Sequence, residues 1–430
     1  MSPSLSPVFG GPPQDSILRQ AAEFYLDLHR NPELSGAEER TAARLARWLT
    51  AAGYRVETGI GGHGVAGVLS NGPGPVVMLR AELDALPVRE QTGLPYASTK
   101  TATAPGGATV AVMHACGHDI HLACAAGAAS ALAQNTAQWR GTVLVVGQPA
   151  EETLRGARAM LEDGLYHRFE PPAIVLAQHT APLPAGMVAH AEGPVTAAST
   201  TLEIVIHGRG GHAATPHLAV DPIGAAAATA LRVQTIVSQE TSPWEHVTVT
   251  VGSLEAGSAG PGNLIPEHAT VRVTVRGFSQ HVLDRAVAAV ERIARAESQA
   301  SGCPREPSIR TLSLSGVNTP ERDITTAVRR AHQIAFGTER VALWPPSLAT
   351  EDFPLFGEAG ADIHGVPGIR TAYWMLGMVG PAQWAAAPGR STAEKLAALP
   401  PNHSPAFRPH MRLTLQTGIS ALITAATTRL

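Results

Sequence analysis

The sequence predicts an α/β fold: a larger α/β domain with a mixed or mainly parallel central sheet, interrupted by a smaller α+β domain. Three observations predict it. At 430 residues the chain is too long for one ordinary core. Its first half carries short, fully apolar runs bounded by Gly and Pro, which suit strands buried on both faces. From about Gly193 polar and apolar residues alternate instead, which suits strands with one wet face.

The elements follow in order. Ile17 to His29 repeats apolar residues at helical spacing (Ile17, Leu18, Ala21, Phe24, Tyr25, Leu28). Glu38 to Ala52 is a second helix, ended by Gly53 just past its cap. Buried strands are expected at Val76–Leu79, Val143–Val146 and Ala173–Leu176, with a helix from about Asp119 to Ala133 between the first two. Then come a strand at Thr200–His207, a helix at Asp221–Gln239, strands at Val247–Leu254 and Ala269–Val275, a helix at Val282–Ala300 and a strand at Ser308–Leu314. That β-α-β-β-α-β order is ferredoxin-like. The expected boundaries are 1–192 and 316–430 for the larger domain and 193–315 for the insertion, with a hinge near Gly193 and Ser315-Gly316.

Composition narrows the function. Net charge is −3 and no basic patch stands out, which speaks against nucleic acid. No run reaches the ~18 apolar residues of a membrane span. The Pro-, Ser- and Gly-rich stretch Met1 to Gln14 lacks the basic and apolar regions of a secretory signal. Three cysteines, Cys116, Cys124 and Cys303, make no disulfide framework. A cytoplasmic protein is expected. Aromatics are only 4% while Ala and Gly abound, so packing should rely on small residues.

Ligands of parallel sheets sit beyond the carboxyl ends of the strands. The residues that follow the apolar runs are Arg80-Ala81-Glu82-Leu83-Asp84, Gln148-Pro149-Ala150-Glu151-Glu152 and Gln178-His179, and a helix opens at His114-Ala115-Cys116-Gly117-His118-Asp119. Cys, His and carboxylates thus converge on one sheet edge. Thiolate and imidazole are good ligands for zinc and similar ions. Gly117 lets the chain turn between Cys116 and His118. Of two adjacent carboxylates, one can ligate while the other shuttles a proton, the division that metal-assisted hydrolysis requires. Each piece has a bland counterpart: a chance Cys-x-His pair, a solvated Glu-Glu turn, a hydrogen-bonded core histidine. Their convergence favours the metal site.

The motifs Met113-His114-Ala115-Cys116-Gly117-His118-Asp119, Gln148-Pro149-Ala150-Glu151-Glu152, Gly210-Gly211-His212-Ala213-Ala214 and Glu351-Asp352-Phe353 stand in an order and spacing that resemble the dinuclear metallohydrolases of the aminoacylase and carboxypeptidase superfamily. The chain is most similar to their amidohydrolase branch, which includes auxin-conjugate hydrolases, hippurate hydrolases and N-acyl-amino-acid amidohydrolases. The likeness runs from Leu28-His29-Arg30-Asn31-Pro32 to Asn402-His403-Ser404-Pro405.

The resemblance implies two divalent metal ions, zinc first, with manganese, cobalt or nickel as alternatives. Cys116, His118, Glu152, His179 and His403 would be their ligands, Cys116 bridging and Asp84 standing behind them. Glu151 would be general base and acid in hydrolysis of an N-acyl amino acid or similar small amide by a metal-activated water. It further implies a homodimer through the inserted domain, with His212 completing the partner's site, and a substrate carboxylate held by Asn263 and Arg276. A dipeptidase, a carboxypeptidase or an N-carbamoyl amino acid hydrolase would use the same metal set. A non-catalytic relative would not need all five ligands and Glu151, and all are present. Three features depart from the family's pattern: Glu82 where Asp is usual, Ala349-Thr350 where Gly-Ser is commoner, and an apparent insertion at Lys100–Val110.

Overall fold

The computed structural model describes residues 13–104, 106–257 and 262–430. The strands, numbered in chain order, begin with β1 (Arg55–Ile60), β2 (Gly64–Asn71), β3 (Val76–Glu82), β4 (Thr101–Thr103), β5 (Thr109–Ala111), β6 (Gly141–Gln148), β7 (Ile174–Pro184) and β8 (Val188–His190). There follow β9 (Ala198–His207), β10 (Gly211–His212), β11 (Val247–Ala256), β12 (Leu264–Ile265), β13 (His268–Gly277) and β14 (Ser308–Ser315). β15 (Val341–Leu343) and β16 (Arg370–Val379) come last. The first three helices are α1 (Asp15–Arg30), α2 (Glu39–Ala51) and α3 (His118–Gln134).

Two compact units result. One takes the residues up to Val195 with Thr319–Pro345 and Asp352–Leu430; the other takes Thr196–Asn318 and Pro346–Glu351. The first is built on an eight-stranded sheet in the order β1-β2-β6-β3-β7-β16-β8-β15. β6, β3, β7 and β16 run parallel, whereas β1, β2 and the β16–β8 pair bring antiparallel edges. Every residue of β3 is buried, the apolar Val76–Leu79 and Ala81 as well as Arg80 and Glu82. Val77, Leu79, Val143, Val145 and Leu176 pack on one face, and Val76, Met78, Leu144, Val146 and Val175 on the other.

Small residues let α3 sit wholly inside. Fifteen of its 17 residues are buried, six of them Ala and one Gly, so its flanks meet neighbours at close range. A Cβ on Gly127 would come 2.7 Å from Ile419, and one on Gly418 would come 2.5 Å from Cys124 Sγ; Gly418 and Ile419 belong to the C-terminal helix Met411–Thr427. His29 on α1 ties down the start of α3: its Nδ1 lies 2.7 Å from Asp119 and its Nε2 3.2 Å from Glu90. Burial alone would lower the His29 pKa, but the two carboxylates raise it to about 9.

The second unit holds the four-stranded antiparallel sheet β11-β13-β9-β14. Numbered within the unit, that order is 2-3-1-4, the ferredoxin-like arrangement expected from the order of elements. β13 alternates buried Val271, Val273 and Val275 with half-buried Arg272, Thr274 and Arg276, so one face packs and the other stays open. The helix expected at 221–239 is two helices, Pro222–Val233 and Thr235–Gln239, joined at Gln234.

Several elements depart from the sequence expectations. β1, β2, β8, β15 and β16 had no assigned run. Lys100–Val110 contains most of a β4–β5 hairpin, with Thr101 opposite Ala111; residue 105 lies outside the described residues, as does most of the tail before Gln14. Among the described residues, no helix is long and apolar enough to cross a membrane.

Candidate metal centre

β3 and β6 are parallel neighbours, so the turns that follow them leave from the same edge of the sheet. The turn after β3 carries Asp84, and the turn after β6 carries Glu151 and Glu152. His179 reaches this edge differently. It does not close its strand, because β7 continues to Pro184 beside β16. Pairing of β7 with β3 stops at Leu79↔Leu176, and past that point the outrunning strand presents His179.

Cys116 and His118 flank Gly117, which caps α3 at φ +86°. That left-handed conformation favours Gly, and a Cβ there would lie 2.4 Å from Thr180 Oγ1. His403 arrives on a loop, with its amide donating to Ala115 O at 2.7 Å. Ala150 (φ +50°), Leu154 (φ +54°) and His403 (φ +70°) are the positive-φ residues other than Gly among those described, and all lie in or beside this site. Such costly conformations cluster at functional sites.

These turns bring the donors together. The ligand atoms of Cys116, His118 and His179 lie within 4.8 Å of one another; so do those of Cys116, Glu152 and His403, and those of His118, Glu151 and Glu152. Cys116 belongs to the first two groups. His118 turns its Nδ1 towards Asp84, 2.9 Å from the main-chain oxygen and 3.2 Å from the carboxylate, which leaves Nε2 facing Glu151 at 3.7 Å and Glu152 at 3.9 Å. Asp84 also accepts from Glu152 N at 2.9 Å and from Ser35 Oγ at 2.7 Å. His179 donates from Nδ1 to Thr180 O at 3.0 Å and sets Nε2 3.4 Å from Cys116 Sγ. A carboxylate or carbonyl behind the His118 and His179 imidazoles fixes tautomer and ring angle, the support that metal-binding histidines require.

The residues fit a divalent cation. His118 Nε2 and Glu152 Oε1 are buried and make no hydrogen bond. Two such atoms facing each other are expensive without a shared positive partner. The charges agree. Burial would push the Cys116 thiol up, yet the His179, His118 and His403 imidazoles hold it well below the ordinary thiol range. Burial and the Cys116 charge push Glu152 up to about 7. Cys116 and Glu152 raise His403 to about 10.

Behind these donors lie residues that motif reading passed over. Glu38 accepts from Gly36 N at 2.7 Å and Ala150 N at 2.8 Å, so it fixes the turn that delivers Glu151. Arg80, 2% exposed, donates to Gln148 Oε1 at 2.7 Å and contacts Glu82 and Asp352. A full-length buried Arg with three acceptors is visible in sequence as a charge inside an apolar run, and that was the available signal.

In the second unit, β10 pairs with β12, and Ala213 N donates to Asn263 O at 2.9 Å, so His212 and Asn263 are neighbours. Arg276 is not beside them. It sits near the opposite end of β13 from the one the chain enters after Asn263, and its guanidinium donates to Leu348 O at 2.7 Å. Arg272, on the same face, is neutralised by Glu203 at 3.1 Å and Glu255 at 2.7 Å. Arg276 meets no carboxylate among the described residues.

Comparison with known proteins decides the family. Residues 78–387 match peptidase family M20/M25/M40. The chain belongs to this family. It is 33% identical over 366 residues to N-acetylcysteine deacetylase of Bacillus subtilis, covering 83% of this chain and 88% of the relative. It is 35% identical over 337 residues to hippurate hydrolase of Campylobacter jejuni, covering 77% and 83%. A Bacillus subtilis structure named a dinuclear metal-binding peptidase of family M20 superposes with a TM-score of 0.72 at 26% identity, over 96% of this chain and 98% of that one. Membership in the family makes this protein a metal-dependent hydrolase of amide bonds.

Proposed function

We propose that the protein hydrolyses N-acyl amino acids at two divalent ions held by Cys116, His118, Glu152, His179 and His403. The observation that carries this reading is the buried, hydrogen-bond-free pair His118 Nε2 and Glu152 Oε1 beside Glu151, in a cluster where Cys116 serves two groups of donors. A donor set of thiolate, imidazole and carboxylate suits zinc. When bound, such ions polarise an amide carbonyl and acidify a water.

The chain's own residues then divide the work. Glu151 takes a proton from the water on its carboxylate and returns it to the leaving nitrogen. Asp84 keeps the His118 proton on Nδ1 and so keeps Nε2 available. His212 accepts the Ala214 amide on its Nδ1 at 3.0 Å, so its Nε2 carries the proton. That proton is available to an oxyanion.

Arg276, half-buried and without an acidic partner among the described residues, suits a substrate carboxylate, whereas Arg272 is already paired. Both relatives are named for small amides that carry a carboxylate, a deacetylase of N-acetylcysteine and a hydrolase of hippurate. The test compares an N-acyl amino acid with its carboxamide. Wild type should prefer the acid by about 10–100-fold in kcat/KM, the value of a charged hydrogen bond. Arg276→Ala should lose that preference. Equal rates on both compounds in wild type would remove Arg276 as the anchor and point to a different amide.

His212 and Asn263 at one end of β13 and Arg276 near the other support a site completed by two chains, with the second unit as the dimerisation domain. Mixing His212→Ala with Glu151→Gln chains should restore up to about a quarter of the activity, since half of randomly mixed dimers carry one intact site of two. No recovery despite demonstrated subunit exchange would contradict it. The three free cysteines support a reducing, cytoplasmic setting.

A further inference from the structure

One buried histidine beside the candidate ligands has no role in the reaction described above. His121 lies one helical turn after His118 on α3 and is 1% exposed. Its Nδ1–H donates to Glu82 Oε2 at 2.8 Å, so its Nε2 is the unprotonated nitrogen and accepts the main-chain amide of Thr180 at 2.8 Å. Glu82 is held in turn by Arg80. Thr180 is the junction of the site. Its hydroxyl donates to Cys116 O at 2.9 Å. Its carbonyl accepts from His179 Nδ1 at 3.0 Å and from Asn402 Nδ2 at 3.3 Å. Asn402, next to His403, also donates to Cys116 O at 3.2 Å.

We propose that His121 is a positioning residue: by holding Thr180 it sets where Cys116 and His179 present sulfur and nitrogen to a metal ion. The segments that carry Cys116, His179 and His403 all bond to Thr180 or to its immediate partners, and His121 is the side chain that fixes the Thr180 amide. There is little slack, since a single added carbon on Gly117 would strike the Thr180 hydroxyl. Glu82, the residue that departs from the family's usual Asp, orients His121 from the other side. The inference rests on the reading of Cys116 and His179 as ligands.

The test loads metal-stripped protein with cobalt(II) and follows two readouts: affinity by chelator competition, and the thiolate-to-cobalt charge-transfer absorption. His121→Asn can still reach Glu82 but not Thr180. It should weaken cobalt binding by about 10–100-fold and shift the absorption, as loss of support behind a ligand does. His121→Gln places an acceptor near the position of Nε2 and should stay within about threefold of wild type. Thr180→Val keeps the shape and removes the hydroxyl; it should weaken binding in the same direction, and it carries the comparison if His121→Asn does not fold. The inference is overturned if His121→Asn folds and binds cobalt with wild-type affinity and absorption, if Thr180→Val does the same, or if His121→Gln is as weak as His121→Asn. If wild-type protein binds cobalt without the thiolate absorption, it is the assignment of Cys116 as a ligand that fails.

Discussion

Replacing Glu151 by Gln should leave metal content and folding unchanged and lower kcat by about 10²–10⁴-fold or more, the usual contribution of a positioned general base. Its carboxylate is buried, 5% exposed, and lies on a turn held by Glu38. Glutamine keeps the shape and cannot accept the proton. The companion substitution Glu152→Gln removes a proposed ligand atom and should lose metal as well as turnover. Metal analysis beside kcat separates the two. A Glu151→Gln enzyme with near-normal turnover would mean that another group is the base.

Cys116→Ser should have an effect of similar size by a different route. Cys116 belongs to two donor groups, and its thiolate is stabilised by His179, His118 and His403. A serine hydroxyl is a harder donor and keeps its proton at neutral pH. The substitution should therefore cost more metal affinity than the 10–100-fold typical of a residue behind the ligands, with activity falling in parallel. Equilibrium dialysis of stripped protein checks it. Reversible oxidation of the same sulfur should abolish activity, and reductant should restore it. A Cys116→Ser protein that holds metal as tightly as wild type would exclude the thiolate as a ligand.

How far the sequence spoke depended on the physics of each element. The buried strands β3, β6 and β7 were readable because burial on both faces leaves an unbroken apolar run. The second unit was readable because its open face enforces alternation. β1 and β2 were not, since they lie at one edge of the sheet, where partly exposed positions blur both patterns. Of the candidate site, Cys116, His118, Glu151 and Glu152 stand at helix and strand ends where polar residues interrupt apolar ones. His403 has no such context and emerged only through family likeness. His179 was found for a partly mistaken reason: its strand does not end there but loses its β3 neighbour. The supporting residues Glu38, Thr180 and Asn402 act through main-chain contacts between distant segments, and no local pattern reports such contacts. Asn263 and Arg276 were paired through the family likeness alone; ten-residue β13 places Arg276 near the end away from Asn263, a separation that no local pattern reports.

The most direct test of the central claim is a metal titration of stripped protein with hydrolysis of an N-acyl amino acid as the readout. Hydrolysis should be negligible without metal, rise as zinc or a similar divalent ion is added, and level off as bound metal approaches two ions per chain. Full hydrolysis by metal-free protein, or saturation of activity and binding at a single ion per chain, would contradict the account.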